Sequence, residues 1–232
     1  SPEVFKVSGR GQLHLSVLVE NMRREGFELQ VSAPEVIYKH IDGKKQEPME
    51  YLVVDVPQDY QGTIMELLGT KKAEMQNMTQ LDSGRVRMTF IVPSRGLLGF
   101  RSQFLSETRG TGIATFSFHG YAPYQGDIII RQKGALVSME NGEATSYALN
   151  TVQERGVLFI HPGNKVYEGM IIGENSREDD MTVNPCKAKK LTNMRAAGSD
   201  EMIQIAPPRD MTLERCMEWI QPDELIEVTP ES

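Results

Sequence analysis

Apolar positions in the first part of the chain change period twice. Residues 4–8 read as a short strand, and residues 12–25 carry Leu15, Leu18, Val19 and Met22 at i, i+3, i+4 and i+7, the spacing of one helix face. Arg23 and Arg24 fall in the last turn of that helix, where cations complement the helix dipole, and Gly26 is placed to stop it. Residues 27–31 alternate apolar and polar, as a half-buried strand does. The pattern predicts a β-α-β unit. A polar turn and linker at residues 42–48 then marks a first domain boundary.

A second module follows. Strands are predicted at 51–56, 73–79, 86–92 and 113–119, with helices at 61–72 (Ile64, Leu67 and Leu68 on one face) and 96–107 (Leu97, Phe100 and Phe104). The order β-α-β-β-α-β is the split β-α-β, or ferredoxin-like, arrangement, an antiparallel sheet with both helices on one face. Val7-x-x-Arg10-Gly11-x-Leu13 recurs as Val92-x-x-Arg95-Gly96-x-Leu98, each at a strand-to-helix turn. That echo agrees with two related modules, the first of them a half. After a turn at 123–127 the period is mostly two, with strands expected at 128–132, 136–139, 157–160, 170–172 and 225–228 and one late helix at 212–220. The expected fold class is therefore α+β: partial and complete ferredoxin-like modules followed by a strand-rich C-terminal domain. The expected divisions are 1–44, 45–125 and 126–232.

Composition narrows the function classes. The 232 residues suit two or three small domains, and 39% hydrophobic with 25% charged residues is ordinary for a globular protein. No run approaches the ~18 apolar residues that cross a bilayer, so no membrane association is expected. Ser1 in place of an initiator Met points to a piece of a longer chain. Cys186 and Cys216 have no metal-like spacing, and two thiols in a chain this size point to a reducing cytoplasm, although one disulfide is open on paper. The histidines His14, His40, His119 and His161 are scattered, so no metal site is expected. The net charge of -7 argues against non-specific nucleic-acid binding by the chain as a whole. Any RNA contact has to come from local basic patches.

Chemistry-bearing motifs are few. No G-x-x-x-x-G-K-[ST] loop is present to cradle a triphosphate. Asp59-Tyr60-Gln61-Gly62 matches D-x-x-G by chance, and Tyr167 stands where N-K-x-D, begun by Asn164-Lys165, needs an acid. Gly9-Arg10-Gly11 before a helix reads first as a packing turn and second as an anion site; His14 lacks a neighbouring partner, and the acid pairs Asp179-Asp180 and Asp200-Glu201 read as solvated turns. One stretch stands out in an acidic chain: residues 181–198 hold Lys187, Lys189, Lys190 and Arg195 and no acid. Its length and lack of periodicity describe a functional or solvated loop, and its cations suit phosphate backbones. A second basic group is Arg85, Arg87, Arg95, Arg101 and Arg109, readable as RNA contacts or as solvated partners of Glu66, Glu74 or Glu107.

Three stretches carry a family resemblance. "GRGQLHLSVLVENMRREGFEL" at 9–29 resembles the third domain of elongation factor G-type translational GTPases, in its BipA/TypA spelling. "GRVRMTFIVPSRGLLGFRSQF" at 84–104, with "GTG" at 110–112, resembles their domain V. "KVYEGMIIGENSREDDMTVN", "KKLTNMRAAGSDE" and "MTLERCMEWIQPDELIEVTP" resemble the C-terminal domain peculiar to BipA/TypA, which separates it from elongation factor G and LepA. The resemblance implies a cytoplasmic, monomeric GTPase in the factor-binding site of the bacterial ribosome, acting in large-subunit assembly and in growth under stress or cold. The implied partners are the 70S ribosome or 50S subunit, 23S rRNA and A-site tRNA. Lys187, Lys189, Lys190, Asn193 and Arg195 become the RNA-binding candidates, with Arg85, Arg87, Arg95 and Arg101 as secondary contacts. GTP and Mg²⁺ belong, on this resemblance, to a G domain that this sequence does not contain, so no enzymatic activity and no cofactor are expected of this chain alone. The family also implies a basic tail beyond Ser232. The alternative reading is a protein–protein interaction module without direct RNA contact.

Overall fold

The structure, a computed structural model, describes residues 4–128, 131–188 and 204–231. Two compact units are present: residues 1–130 together with 213–232, and residues 131–212.

In the first unit, Gln12–Arg24 forms α1, followed by β1 (Leu29–Ser32), β2 (Lys39–Ile41) and β3 (Lys44–Pro57). Then come α2 (Gln61–Thr70), β4 (Glu74–Leu81), β5 (Arg85–Pro93), α3 (Phe100–Glu107) and β6 (Ile113–Pro123). The sheet runs β4-β5-β3-β6 with every neighbour antiparallel, the order of a complete ferredoxin-like module. Its core is what the alternation predicts. Leu52, Val54 and Val56 of β3 and Val86, Met88, Phe90 and Val92 of β5 point to one face, where Ile64, Leu67 and Leu68 of α2 and Phe100 and Phe104 of α3 cover them. Arg85 and Arg87 therefore lie on the other, uncovered face.

The residues read as a linker at 42–48 belong instead to a hairpin. Asp42 and Gly43 both take positive φ (51° and 73°), as a two-residue turn between antiparallel strands requires, and β3 starts at Lys44 and runs unbroken for 14 residues. The Asp-Gly pair was the signal for this. A register shift against β6 falls between Met49 and Glu50. Beyond it the buried parity of β3 changes, so Glu47 and Met49 turn inward.

Residues 4–8, expected as a strand, are not one: no strand among the described residues pairs with them, and Val4, Phe5 and Val7 stay exposed. Alternation makes a strand only where a neighbour accepts its ladder of hydrogen bonds.

The second unit contains β7 (Ala135–Ser138), β8 (Gly142–Glu143), α4 (Ser146–Val152), β9 (Gly156–Leu158), β10 (Lys165–Val166), β11 (Ile171–Asn175) and β12 (Met181–Val183). Its sheet runs β12-β7-β11-β9, with β12 parallel to β7 and the rest antiparallel, and β8 pairs β10 in a small ladder. Leu136, Leu149, Val152, Leu158, Ile160 and Ile172 form its core. Gly156 is required where β9 meets β11, because a Cβ there would sit 1.9 Å from the Glu174 carbonyl oxygen. Helix α4 was not expected. Its seven residues are too few to display a period, but Thr145 caps it by accepting from the Ala148 N–H at 3.1 Å. Of the strand expected at 128–132, Ile128, Arg131 and Gln132 are in no strand and the remainder lies outside the described residues.

The last elements, α5 (Leu213–Trp219) and β13 (Leu225–Val228), return to the first unit. β13 pairs antiparallel with β1, Leu29 opposite Val228 and Ser32 opposite Leu225. Val19 of α1 packs with Met217, Ile220, Ile226 and Val228. By contact, residues 213–232 thus group with the first unit. The physical reason is burial: a lone helix and a four-residue strand cannot cover their own apolar stripe, and the chain's last twenty residues supply the missing layer.

Candidate nucleic-acid interface

Lys187 lies just past β12 and is the first cation of the acid-free basic run. Asn184 starts the turn, its Oδ1 accepting from the Cys186 N–H at 3.0 Å. Thr145 does the rest. Its backbone N–H donates to the Pro185 carbonyl at 2.9 Å, and its hydroxyl donates to the Lys187 carbonyl at 2.7 Å while capping α4. The Lys187 side chain is exposed and forms no ion pair among the described residues. Lys189, Lys190, Asn193 and Arg195 lie outside the described residues.

Thr145→Ala removes the cap and the tie to Lys187 together. It is expected to cost about 1–2 kcal/mol by urea denaturation, with Thr145→Ser close to wild type. Equal losses from both variants would mean that the Thr145 methyl group, not its hydroxyl, holds the turn.

The secondary arginines do not converge. Arg85 and Arg87 bracket Asp55 on the uncovered face of the first unit's sheet; Arg85 Nη2 also donates to the Asp55 carbonyl at 2.8 Å, and Arg87 Nη2 reaches Asp55 Oδ2 at 3.2 Å. Burial works to raise the Asp55 pKa, but the hydrogen bonds and charges of Arg85 and Arg87 outweigh it, and the carboxyl is held below the usual carboxylate range. Arg87 keeps 54% of its side chain in solvent, so one guanidinium of this pair still faces outward. Arg101 lies on α3, on the opposite, helix-covered side, exposed and without an acidic partner among the described residues.

Arg95 points inward. Its guanidinium pairs with Glu47, donates to the Gly126 carbonyl and stacks on the Tyr124 ring at 4.5 Å. Burial opposes its charge, yet the adjacent Glu47 carboxylate leaves its pKa above the ordinary value. Glu47 also accepts from the Gln125 N–H at 2.7 Å, and Lys45 sits between the rings of Tyr38 and Tyr124. With 10% of its side chain exposed, Arg95 serves this clamp and is not available to an outside ligand. Its counterpart in the sequence echo, Arg10, is exposed, with its backbone N–H donating to His14 Nδ1 at 3.3 Å.

Neither Cys186 nor Cys216 forms a disulfide. Among the described residues, no three His, Cys, Asp or Glu side chains gather as metal ligands, and no helix is long and apolar enough to cross a membrane.

This order of modules defines a class: residues 44–132 match the family of the elongation factor G C-terminus, and residues 133–232 match the TypA/BipA C-terminal domain. Over its whole length the chain is 53% identical to the large ribosomal subunit assembly factor BipA of Synechocystis. It is 52% identical over 100% of its length to the protein of that name from Bacillus subtilis, and 52% over 99% to that of Escherichia coli K12. The chain carries the C-terminal domains of the BipA/TypA family. It spans 38–39% of the length of these relatives.

Proposed function

We propose that this chain is the ribosome-recognition region of a translational GTPase that acts in large-subunit assembly, including under stress or cold. The observation that carries this reading is 52–53% identity, over all or nearly all of the chain, to proteins named as large ribosomal subunit assembly factors. The structure adds a chemical means. In a chain of net charge -7, an acid-free run holding Lys187, Lys189, Lys190, Asn193 and Arg195 starts from a lysine anchored at its backbone and open at its side chain. Such a run suits phosphates of 23S rRNA and A-site tRNA. Arg87 and Arg101, on separate faces, are secondary contacts, whereas Arg85 is largely engaged by Asp55. GTP hydrolysis, with its Mg²⁺, falls to a nucleotide-binding domain elsewhere in the full protein, and this region works in the cytoplasm as part of a monomer.

A second reading, docking on a protein, has its own observation: Phe116 and Phe118 of the edge strand β6 are 55% and 62% exposed. Salt separates the two. With about four phosphate contacts, affinity for 70S ribosomes or 50S subunits is expected to fall on the order of a hundredfold between about 50 and 200 mM salt. Co-sedimentation of this chain across a salt series measures it. Association that ignores salt favours the aromatic edge and defeats the RNA reading.

A further inference from the structure

Beside Lys187 the second unit has a depression of about 390 Å³, between α4 and β12. Val152 and Val183 are among the apolar side chains that line it, and Tyr147, Arg155, Asn184 and Lys187 are among the polar ones. Among the described residues no acid lines it, and neither cation has an acidic partner. In so acidic a chain, two cations over a hollow that no described acid lines favour an anion there. The Tyr147 side chain adds a flat apolar surface; the residue is 40% exposed although α4 packs its neighbours Ala148 and Leu149 into the core. The volume lies in the small-ligand range of about 300–1,000 Å³ and suits one flat ring with its sugar, not a duplex.

An aromatic face, paired cations and an amide are the groups that hold an unstacked base and its phosphate. We propose that this depression seats one unpaired nucleotide of RNA, its base on the Tyr147 ring and its phosphate between Arg155 and Lys187. This rests on the reading that the region binds RNA and adds a site that the basic loop alone does not define. It also gives a preference for single strands, because a paired base enters only at the cost of unpairing and unstacking.

The test is fluorescence anisotropy of the whole 232-residue chain with a labelled oligouridine, with an unlabelled RNA duplex and uridine monophosphate as competitors. Tyr147→Ala is expected to weaken oligouridine binding on the order of tenfold, with Tyr147→Phe near wild type. Arg155→Gln is expected to lower the salt slope by about one. The duplex should compete poorly. Urea midpoints of the variants show that the fold is retained, and Arg155→Gln keeps the test decisive if Tyr147→Ala unfolds. If Lys187→Glu weakens binding while Tyr147→Ala and Arg155→Gln leave it unchanged, the pocket is overturned and the RNA reading stands. If wild type binds neither oligouridine nor ribosomes at low salt, both fall. Tyr147-dependent binding of uridine monophosphate, read by titration calorimetry, without oligouridine binding overturns the RNA assignment in favour of a free nucleotide.

Discussion

Reversing the charge at Lys187, Lys189, Lys190 and Arg195 is expected to abolish salt-sensitive co-sedimentation with ribosomes while leaving the fold intact. Each cation that neutralises a phosphate releases condensed counterions, so binding by a small set of lysines and arginines is strong at low salt and steeply lost as salt rises. Removing four such contacts, and setting four carboxylates against the phosphates instead, costs on the order of a hundredfold or more in affinity. The fold should not notice. Lys187 is exposed, and the bond by which it orders the turn is made by its backbone carbonyl, which a glutamate also has. The expected pattern is therefore an unchanged urea midpoint with lost sedimentation, measured in the full-length protein as well as in this chain. Unchanged sedimentation of the full-length variant would remove the basic run from recognition and leave the exposed aromatics of β6 as the contact.

Glu47→Ala is expected to destabilise the first unit by about 3–5 kcal/mol, because it leaves the buried Arg95 guanidinium without its counter-charge. Glu47 is fully buried, and its carboxylate both pairs with Arg95 and accepts the Gln125 N–H. The cost lies in the stranded charge, not in the pair as such. Replacing both partners together, Glu47→Leu with Arg95→Met, should accordingly recover most of the loss. Urea denaturation followed by a probe in the first unit reads both variants. A single-variant loss below about 1 kcal/mol would show that water reaches Arg95 and that the clamp is a surface pair.

The ferredoxin-like module was legible because its elements are long and their patterns local. The alternation of β5 and the helical spacing of Ile64, Leu67 and Leu68 each predict one face, and those faces meet in the core. The loop candidates were legible as composition, a run of cations without acids. What escaped was set at a distance or in very short elements. Arg95 reads as a free cation until β3 brings Glu47 alongside it, 48 residues away in the chain, and Glu47 itself reads as linker until the Asp42-Gly43 turn extends the strand through it. Thr145 and Tyr147 escaped because a seven-residue helix shows no period, and Arg155 lies in the short turn just past it, although Thr145 ahead of Ala148, Leu149 and Val152 was a capping signal.

By itself, the sequence determined the α+β class, the helices and strands of the central module and the acid-free basic run, since period, capping residues and local charge are properties of neighbouring residues. Only the tertiary structure decided that α5 and β13 close on α1 and β1, that Arg95 is buried while Arg87 and Lys187 face solvent, and that Tyr147 and Arg155 stand beside Lys187. Those outcomes depend on which distant segment covers an apolar stripe or neutralises a charge. Burial and ion pairing act through space, and the chain's linear order does not record them.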